Sequence, residues 1–329
     1  MRKILLLLTA FFLVNVGIIF AQINISDIIP SFSIKIFPEI PVSGDKINIS
    51  VDSFSGINID SASIRWSINS KIVKEGVGEK NFSFQVGESG SETEIRVDIN
   101  PQKGLPFSKT IIIRPSEIDL VWEADTSVPL LYSGKSLFSR ESLLRFEAIP
   151  HFVRRDKTEI PKESLIYEWR ANNKLYPNSS GYGKNFFSIS GSQFEQVETI
   201  EVTARSTDGG FIAKKFVTVE PVSPEVLIYE NNPLQGILYN RDVGSQYKLS
   251  NQEITFRAAP YYFSTKDIFS FTFDWLINGA KVSAPEKDEM TLRVEDDSAG
   301  SSRISIQVKN PKKIFQNSKK EFLINYGNN

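Results

Sequence analysis

The stretch Phe271-Thr-Phe-Asp-Trp-Leu-Ile-Asn-Gly279 decides how this chain folds. Phe271, Phe273, Trp275 and Ile277 fall on one side of a two-residue period, and Thr272, Asp274 and Leu276 on the other. That alternation is a strand with one face buried, and the Asn-Gly pair that ends it is a turn leading into a second strand. Working outward, the pattern recurs as Ile64-Arg-Trp66-Ser-Ile-Asn69 and Tyr167-Glu-Trp169-Arg-Ala-Asn172. The three tryptophans stand 103 and 106 residues apart.

The flanks repeat in the same order. Upstream, Leu144-Arg-Phe-Glu-Ala-Ile-Pro150 matches Ile254-Thr-Phe-Arg-Ala-Ala-Pro260, with Ile47-Asn-Ile-Ser-Val51 in the first copy. Downstream come Asn81-Phe-Ser-Phe84, Asn185-Phe-Phe-Ser188 and Glu289-Met-Thr-Leu292, then Glu94-Ile-Arg-Val97, Thr199-Ile-Glu-Val202 and Arg303-Ile-Ser-Ile306. Each copy closes on Thr110-Ile-Ile-Ile113, Phe216-Val-Thr-Val219 or Glu321-Phe-Leu-Ile324. In the entry segments of the later copies, Trp122 and Tyr132 lie 107 residues before Tyr229 and Tyr239. The period is about 105 residues. Units of roughly 100 residues, holding about seven short strands with frequent turn signals, predict antiparallel sandwiches. No stretch after residue 22 keeps a 3.6-residue apolar period with caps, so helices should be few and short.

The expectation is therefore an all-β protein of three tandem sandwiches, over 28–114, 117–220 and 224–326, behind an N-terminal segment 1–22. Boundaries fall at Pro115-Ser116 and Pro221-Val-Ser-Pro224, where proline fixes φ and removes a donor. Junctions so short predict an extended, semi-rigid rod. With a buried Trp on an early strand and alternating strands after it, the unit resembles immunoglobulin-like domains. It is most similar to the Ig-like and PKD-like domains of bacterial surface proteins, in which a Trp strand runs into an Asn-Gly hairpin. Trp275-Leu-Ile-Asn-Gly279 fits that pattern, while Ser70 and Asn173 replace Gly in the other copies. The acidic Gly-Asp-Gly that follows the Trp in PKD domains is absent, and so is the antibody-type disulfide. The resemblance implies an extracellular scaffold or binding array and carries over no catalytic residue.

The segment 1–22 reads as an export signal. Arg2 and Lys3 precede an apolar run from Ile4 to Phe20, and Ala21 offers a small residue for cleavage. An uncleaved anchor is the alternative, since about 17 apolar residues approach a bilayer span. No cysteine follows to take a lipid. The expected location is outside the cytoplasm: extracellular, on the cell surface or in the periplasm.

Composition removes several kinds of chemistry. The 329 residues include no Cys and one His, which excludes thiolate metal sites, cysteine nucleophiles and His-rich clusters. Lys and Arg number 38 against 39 Asp and Glu, a net charge of −1 that offers no field for nucleic acid. The lone His151 has no G-x-S-x-G serine to serve and reads as a loop aromatic. Glu123-Ala-Asp125 and Glu295-Asp-Asp297 are the carboxylate pairs, each near a strand end where solvated acids are routine. Thr207-Asp-Gly-Gly210 and Glu295–Gly300 lack the alternating oxygen ligands of a calcium loop, so no metal and no cofactor are expected; calcium between domains, which the resemblance to Ig-like arrays implies, is the alternative. The basic pairs Arg154-Arg155, Lys214-Lys215, Lys312-Lys313 and Lys319-Lys320 read as solvated faces.

The binding candidates are loop aromatics after the second strand of a unit. Pro150-His-Phe-Val-Arg-Arg155 is matched by Pro260-Tyr-Tyr-Phe-Ser264, which nominates His151, Phe152, Arg154, Tyr261 and Tyr262. Tyr261 and Tyr262 should be the most exposed; the competing reading folds these rings back over the sandwich end or onto the next unit. Trp66, Trp169 and Trp275 are assigned to the cores. These features predict an exported, non-catalytic structural or adhesive protein of a bacterial envelope, with envelope or surface proteins as partners. The alternative is a polysaccharide- or peptidoglycan-associated protein, hydrolytic through loop carboxylates. Membrane contact would come only through an uncleaved N-terminal segment.

Overall fold

The computed structural model describes residues 32–53, 58–130, 132–195, 197–284, 286–295 and 298–327. The export segment and residues 28–31 of the first unit lie outside the described residues, as do Asp296 and Asp297. Almost everything described is strand or turn; the helical pieces are 3-10 turns at Ile59–Ser61, Lys162–Ser164, Pro177–Ser179 and Thr265–Ser270.

The first sandwich contains β1 (Phe32–Phe37), β2 (Lys46–Ser53), β3 (Ser63–Ile68), β4 (Lys71–Val77), β5 (Asn81–Gln85), β6 (Thr93–Asn100) and β7 (Phe107–Ile113). The second contains β8 (Glu117–Ala124), β9 (Leu143–His151), β10 (Ile166–Ala171), β11 (Lys174–Leu175), β12 (Gly181–Tyr182), β13 (Phe186–Ser190), β14 (Glu198–Arg205) and β15 (Ile212–Val219). The third contains β16 (Glu225–Asn232), β17 (Gly236–Ile237), β18 (Gln246–Lys248), β19 (Glu253–Tyr261), β20 (Thr272–Ile277), β21 (Ala280–Lys281), β22 (Glu289–Arg293), β23 (Gly300–Lys309) and β24 (Asn317–Tyr326). Sheets β1-β2-β5, β8-β9-β13 and β17-β16-β19-β22 face sheets β4-β3-β6-β7, β11-β10-β14-β15 and β18-β24-β23-β20-β21. In all three copies the short hairpin strand after the Trp strand joins the sheet of the closing strands. In the sheet β18-β24-β23-β20-β21 the other pairings are antiparallel, but β18 runs parallel to β24, Gln246 opposite Leu323 and Lys248 opposite Asn325.

The repeated residues build the repeated parts. Trp66, Trp169 and Trp275 are buried. Each indole N–H donates to the carbonyl two residues before the strand that crosses beneath it: Glu79 at 2.8 Å, Lys184 at 2.9 Å and Lys287 at 3.2 Å. A buried indole thus keeps both its apolar area and a satisfied donor. The turns that follow are two residues long, with φ positive at both: Asn69-Ser70, Asn172-Asn173 and Asn278-Gly279. This is the primed turn that matches strand twist. Each Asn also ties the Trp strand to its neighbour. Its amide donates to Glu94, Thr199 or Arg303, and its Oδ1 accepts that residue's N–H at 3.0, 2.9 and 2.8 Å. Asparagine tolerates the left-handed region and brings the acceptor, which accounts for the shared Trp-x-x-Asn.

The chain groups into two compact units. One is built from β1 with Asn48–Ser83 and Glu94–Ile111, and the other from Pro38–Ile47, Phe84–Thr93 and everything from Ile112 onward. In the first, Ile49, Val51, Ile64, Trp66, Val97 and Ile99 are buried. The second holds two cores, one around Phe146, Trp169, Phe187 and Val202, the other around Phe256, Trp275, Ile306 and Phe322.

Candidate interaction site at the joint of the second and third sandwiches

The segment leaving β8 and the segment leaving β19 meet edge to edge. Thr126 bridges Ser264 antiparallel; the Tyr262 N–H donates to the Ser127 carbonyl, and the Ser127 N–H to the Phe263 carbonyl, both at 2.8 Å. Thr265 donates from its N–H to the Asp125 carbonyl and from its hydroxyl to the Asp125 carboxylate. The linker is itself paired, since Val222 bridges Ser139 and its N–H donates to Phe138 at 2.7 Å.

The second half of the joint is the loop 310–316 between β23 and β24. Gln316, 0% exposed, uses its whole side-chain amide. Its Nε2 donates to Ser139 Oγ at 3.3 Å and the Arg140 carbonyl at 3.2 Å, and its Oε1 accepts from the Ser264 N–H and Asn310 Nδ2, both at 3.0 Å. Every hydrogen-bonding position of that amide is filled. Glu141, at φ +64°, turns its carbonyl and one carboxylate oxygen to the loop. Its carbonyl takes Lys313 Nζ at 2.7 Å and its Oε2 takes the Phe315 N–H at 2.8 Å. Its Oε1 accepts from Gln193 at 2.7 Å. Deeper in, buried Asp267 accepts from Asn310 Nδ2 at 3.2 Å and faces Lys312 and Lys313 at 3.4 and 3.7 Å. Burial pushes the Asp267 carboxyl up, but Asn310 and the two lysines together hold it below the usual carboxylate range.

Buried polar networks with every member satisfied fix one arrangement, because any other leaves groups unpaired in low dielectric. Around this fixed joint stand exposed apolar side chains: Phe194 at 83%, Ile314 at 76%, and Phe315 under the Arg140 guanidinium at 5.5 Å.

The nominated aromatic loops sit otherwise than expected. Phe152 is buried against Phe211, ring centroids 5.8 Å apart, and Tyr261 is buried with its hydroxyl 3.3 Å from that of Tyr229. Both lie at or just past the ends of strands that continue beyond the matched proline, which carries the rings under the sandwich end rather than into solvent. Tyr262 is half-buried, at φ +62°, with its amide in the joint. The expected exposure of Tyr261 is thus corrected, and the folding-back reading describes these loops. His151 and Arg154 stay exposed, His151 Nε2 lying 2.9 Å from Asp119. Of the carboxylates, Glu123 and Asp125 both pair with Arg145, at 3.4 and 3.8 Å. Asp208 accepts from Ser206 and Gly210 of its own turn, which hold its carboxyl low. Among the described residues no three His, Cys, Asp or Glu are grouped to hold a metal ion, and no helix is long and apolar enough to cross a membrane.

Sequence reading missed Gln316, Asn310, Asp267 and Glu141. Lys312-Lys313 was read as a solvated face, yet both lysines reach a buried carboxylate. The available signal was the short Pro221–Pro224 linker, which leaves adjacent sandwich ends no room to part.

No protein-family model matches the chain, and no curated protein is similar to it. Solved structures that resemble it are tandem arrays. The three N-terminal domains of the bacteriophage RB49 highly immunogenic outer capsid protein share 9% identity at a TM-score of 0.27, over 91% of this chain and 99% of that one. The central fibronectin-III array of RIM-binding protein shares 12% at 0.29, over 92% and 99%. Fibronectin(III)-like modules of Clostridium thermocellum CbhA share 10% at 0.28, over 57% and 94%. Scores this low carry no inference about what this chain does.

Proposed function

We propose that the protein is a non-catalytic structural and binding array, exported to a bacterial envelope or surface. Its second and third sandwiches serve as one fixed body that holds protein-binding loops at set spacing. The observation that supports this reading is the joint around Gln316, a satisfied polar network ringed by exposed Phe194, Ile314 and Phe315. Aromatic side chains and arginine on a preorganised surface are what protein interfaces favour. Export is supported by the sequence of residues 1–22 alone.

Cell fractionation with crosslinking mass spectrometry on the native protein tests the reading. Recovery in the envelope fraction, with crosslinks from Lys309 or Lys312 to other envelope proteins, is the expected result. Recovery in the cytoplasm, or free in the medium without crosslinks, would overturn it.

A further inference from the structure

The loop that locks the third sandwich onto the second is Asn310-Pro-Lys-Lys-Ile-Phe-Gln316. The first sandwich carries a counterpart between β6 and β7, Asn100-Pro-Gln-Lys-Gly-Leu-Pro106. Both begin Asn-Pro, place lysine fourth (Lys313, Lys103) and set a large apolar residue sixth (Phe315, Leu105). In the second sandwich the same connection reads Ser206-Thr-Asp-Gly-Gly-Phe211, with neither the proline nor the lysine. In the third sandwich these groups are engaged: Lys313 and the Phe315 amide are held by Glu141. In the first, Lys103 stands exposed and Leu105 is 68% exposed. The lysine and the apolar side chain thus recur there on a loop that exposes them, while Pro106 stands where the third sandwich has Gln316.

The receiving surface also has a counterpart. Arg140 and Glu141, which take the loop, lie just before β9; Ser250 and Asn251 hold that place before β19. Both line an open groove of about 1120 Å³ in the third sandwich, with Leu234, 95% exposed, at its lip and Asp242 in its wall. The groove presents carbonyl and amide oxygens, and the Asp242 carboxylate that already faces Lys320 at 3.5 Å, beside one bare leucine.

We propose that the loop 100–106 of one copy docks into this groove on a second copy, joining copies head to tail as the third sandwich is held on the second. The contact is heterologous, one loop of each copy meeting one groove of the next, so it builds chains or rings rather than a symmetric pair. The proposal does not depend on where the protein resides.

Sedimentation velocity on the purified protein across a concentration series tests it. The expected result is a mass that grows in whole-copy steps. Lys103→Glu with Leu105→Asp removes the plug, and Leu234→Asp with Asn251→Lys removes the socket. Each pair should weaken association by about tenfold or more while leaving the melting curve unchanged. An equal mixture of the two variants keeps one good plug and one good socket, and should form dimers and stop there. Should either pair disturb the melt, Lys103→Glu and Leu234→Asp alone serve in their place. A monomer at every concentration, association indifferent to both pairs, or a mixture no heavier than its components would each overturn the proposal.

Discussion

The core around Trp275 and the joint around Gln316 are both buried and both hydrogen-bonded, yet only one of them is repeated. Trp275 has its equals in Trp66 and Trp169, down to the carbonyl each indole finds. Gln316, the last residue before β24, corresponds to Pro106 before β7 and Phe211 before β15. The interior of a sandwich poses the same packing problem in every copy, so the same residues solve it. Its ends meet different neighbours, and the chain solves each end separately.

Three experiments would break or sharpen that contrast. Trp169→Ala leaves a cavity at a core centre and should cost ~3–5 kcal/mol, a large share of a domain's whole stability. Urea unfolding followed by circular dichroism reads it, and a wild-type midpoint would remove Trp169 from the core role. Gln316→Ala should cost less, ~1–3 kcal/mol, because it orphans the Ser264 amide and its partners rather than emptying a core. Its signature is in calorimetry: the second and third sandwiches should melt in one transition in the parent and in two in the variant. Two transitions in both would show that the joint does not couple them. Acid gives the smallest effect. The Asp267 carboxyl is held low in the folded protein, so the stability it contributes is present above its unfolded value near 4 and is lost as pH falls through the folded one. The third sandwich should therefore lose stability as pH falls below ~4, and Asp267→Asn should flatten that dependence.

The cores were open to sequence reading because one face of each strand is buried. Alternation and a shared period are enough to place Trp66, Trp169 and Trp275 without any knowledge of neighbours. The Trp-x-x-Asn turns were visible too, although the reason for Asn emerged only with the strand that its side chain caps. The joint was not legible, because its members are scattered over 125–142, 193, 222, 262–267 and 310–316 and are individually ordinary polar residues. Glu141 and Lys313 look like surface charges until the linker brings two sandwich ends together. The loop aromatics failed for the same reason: the sequence shows a ring beside a turn, and only the continuation of β9 and β19 decides which way it points.

The parallel pairing of β18 with β24 has a mechanical consequence. A pull between the Pro221–Pro224 linker and the end of β24 runs along the strands of the third sandwich. The bonds that join Gln246, Tyr247 and Lys248 to Leu323, Ile324 and Asn325 then carry tension side by side, in shear. An antiparallel edge pulled open at a turn would yield one bond after another. Here the load falls on all of them together, so β24 is fastened to its sheet in the geometry that resists extension.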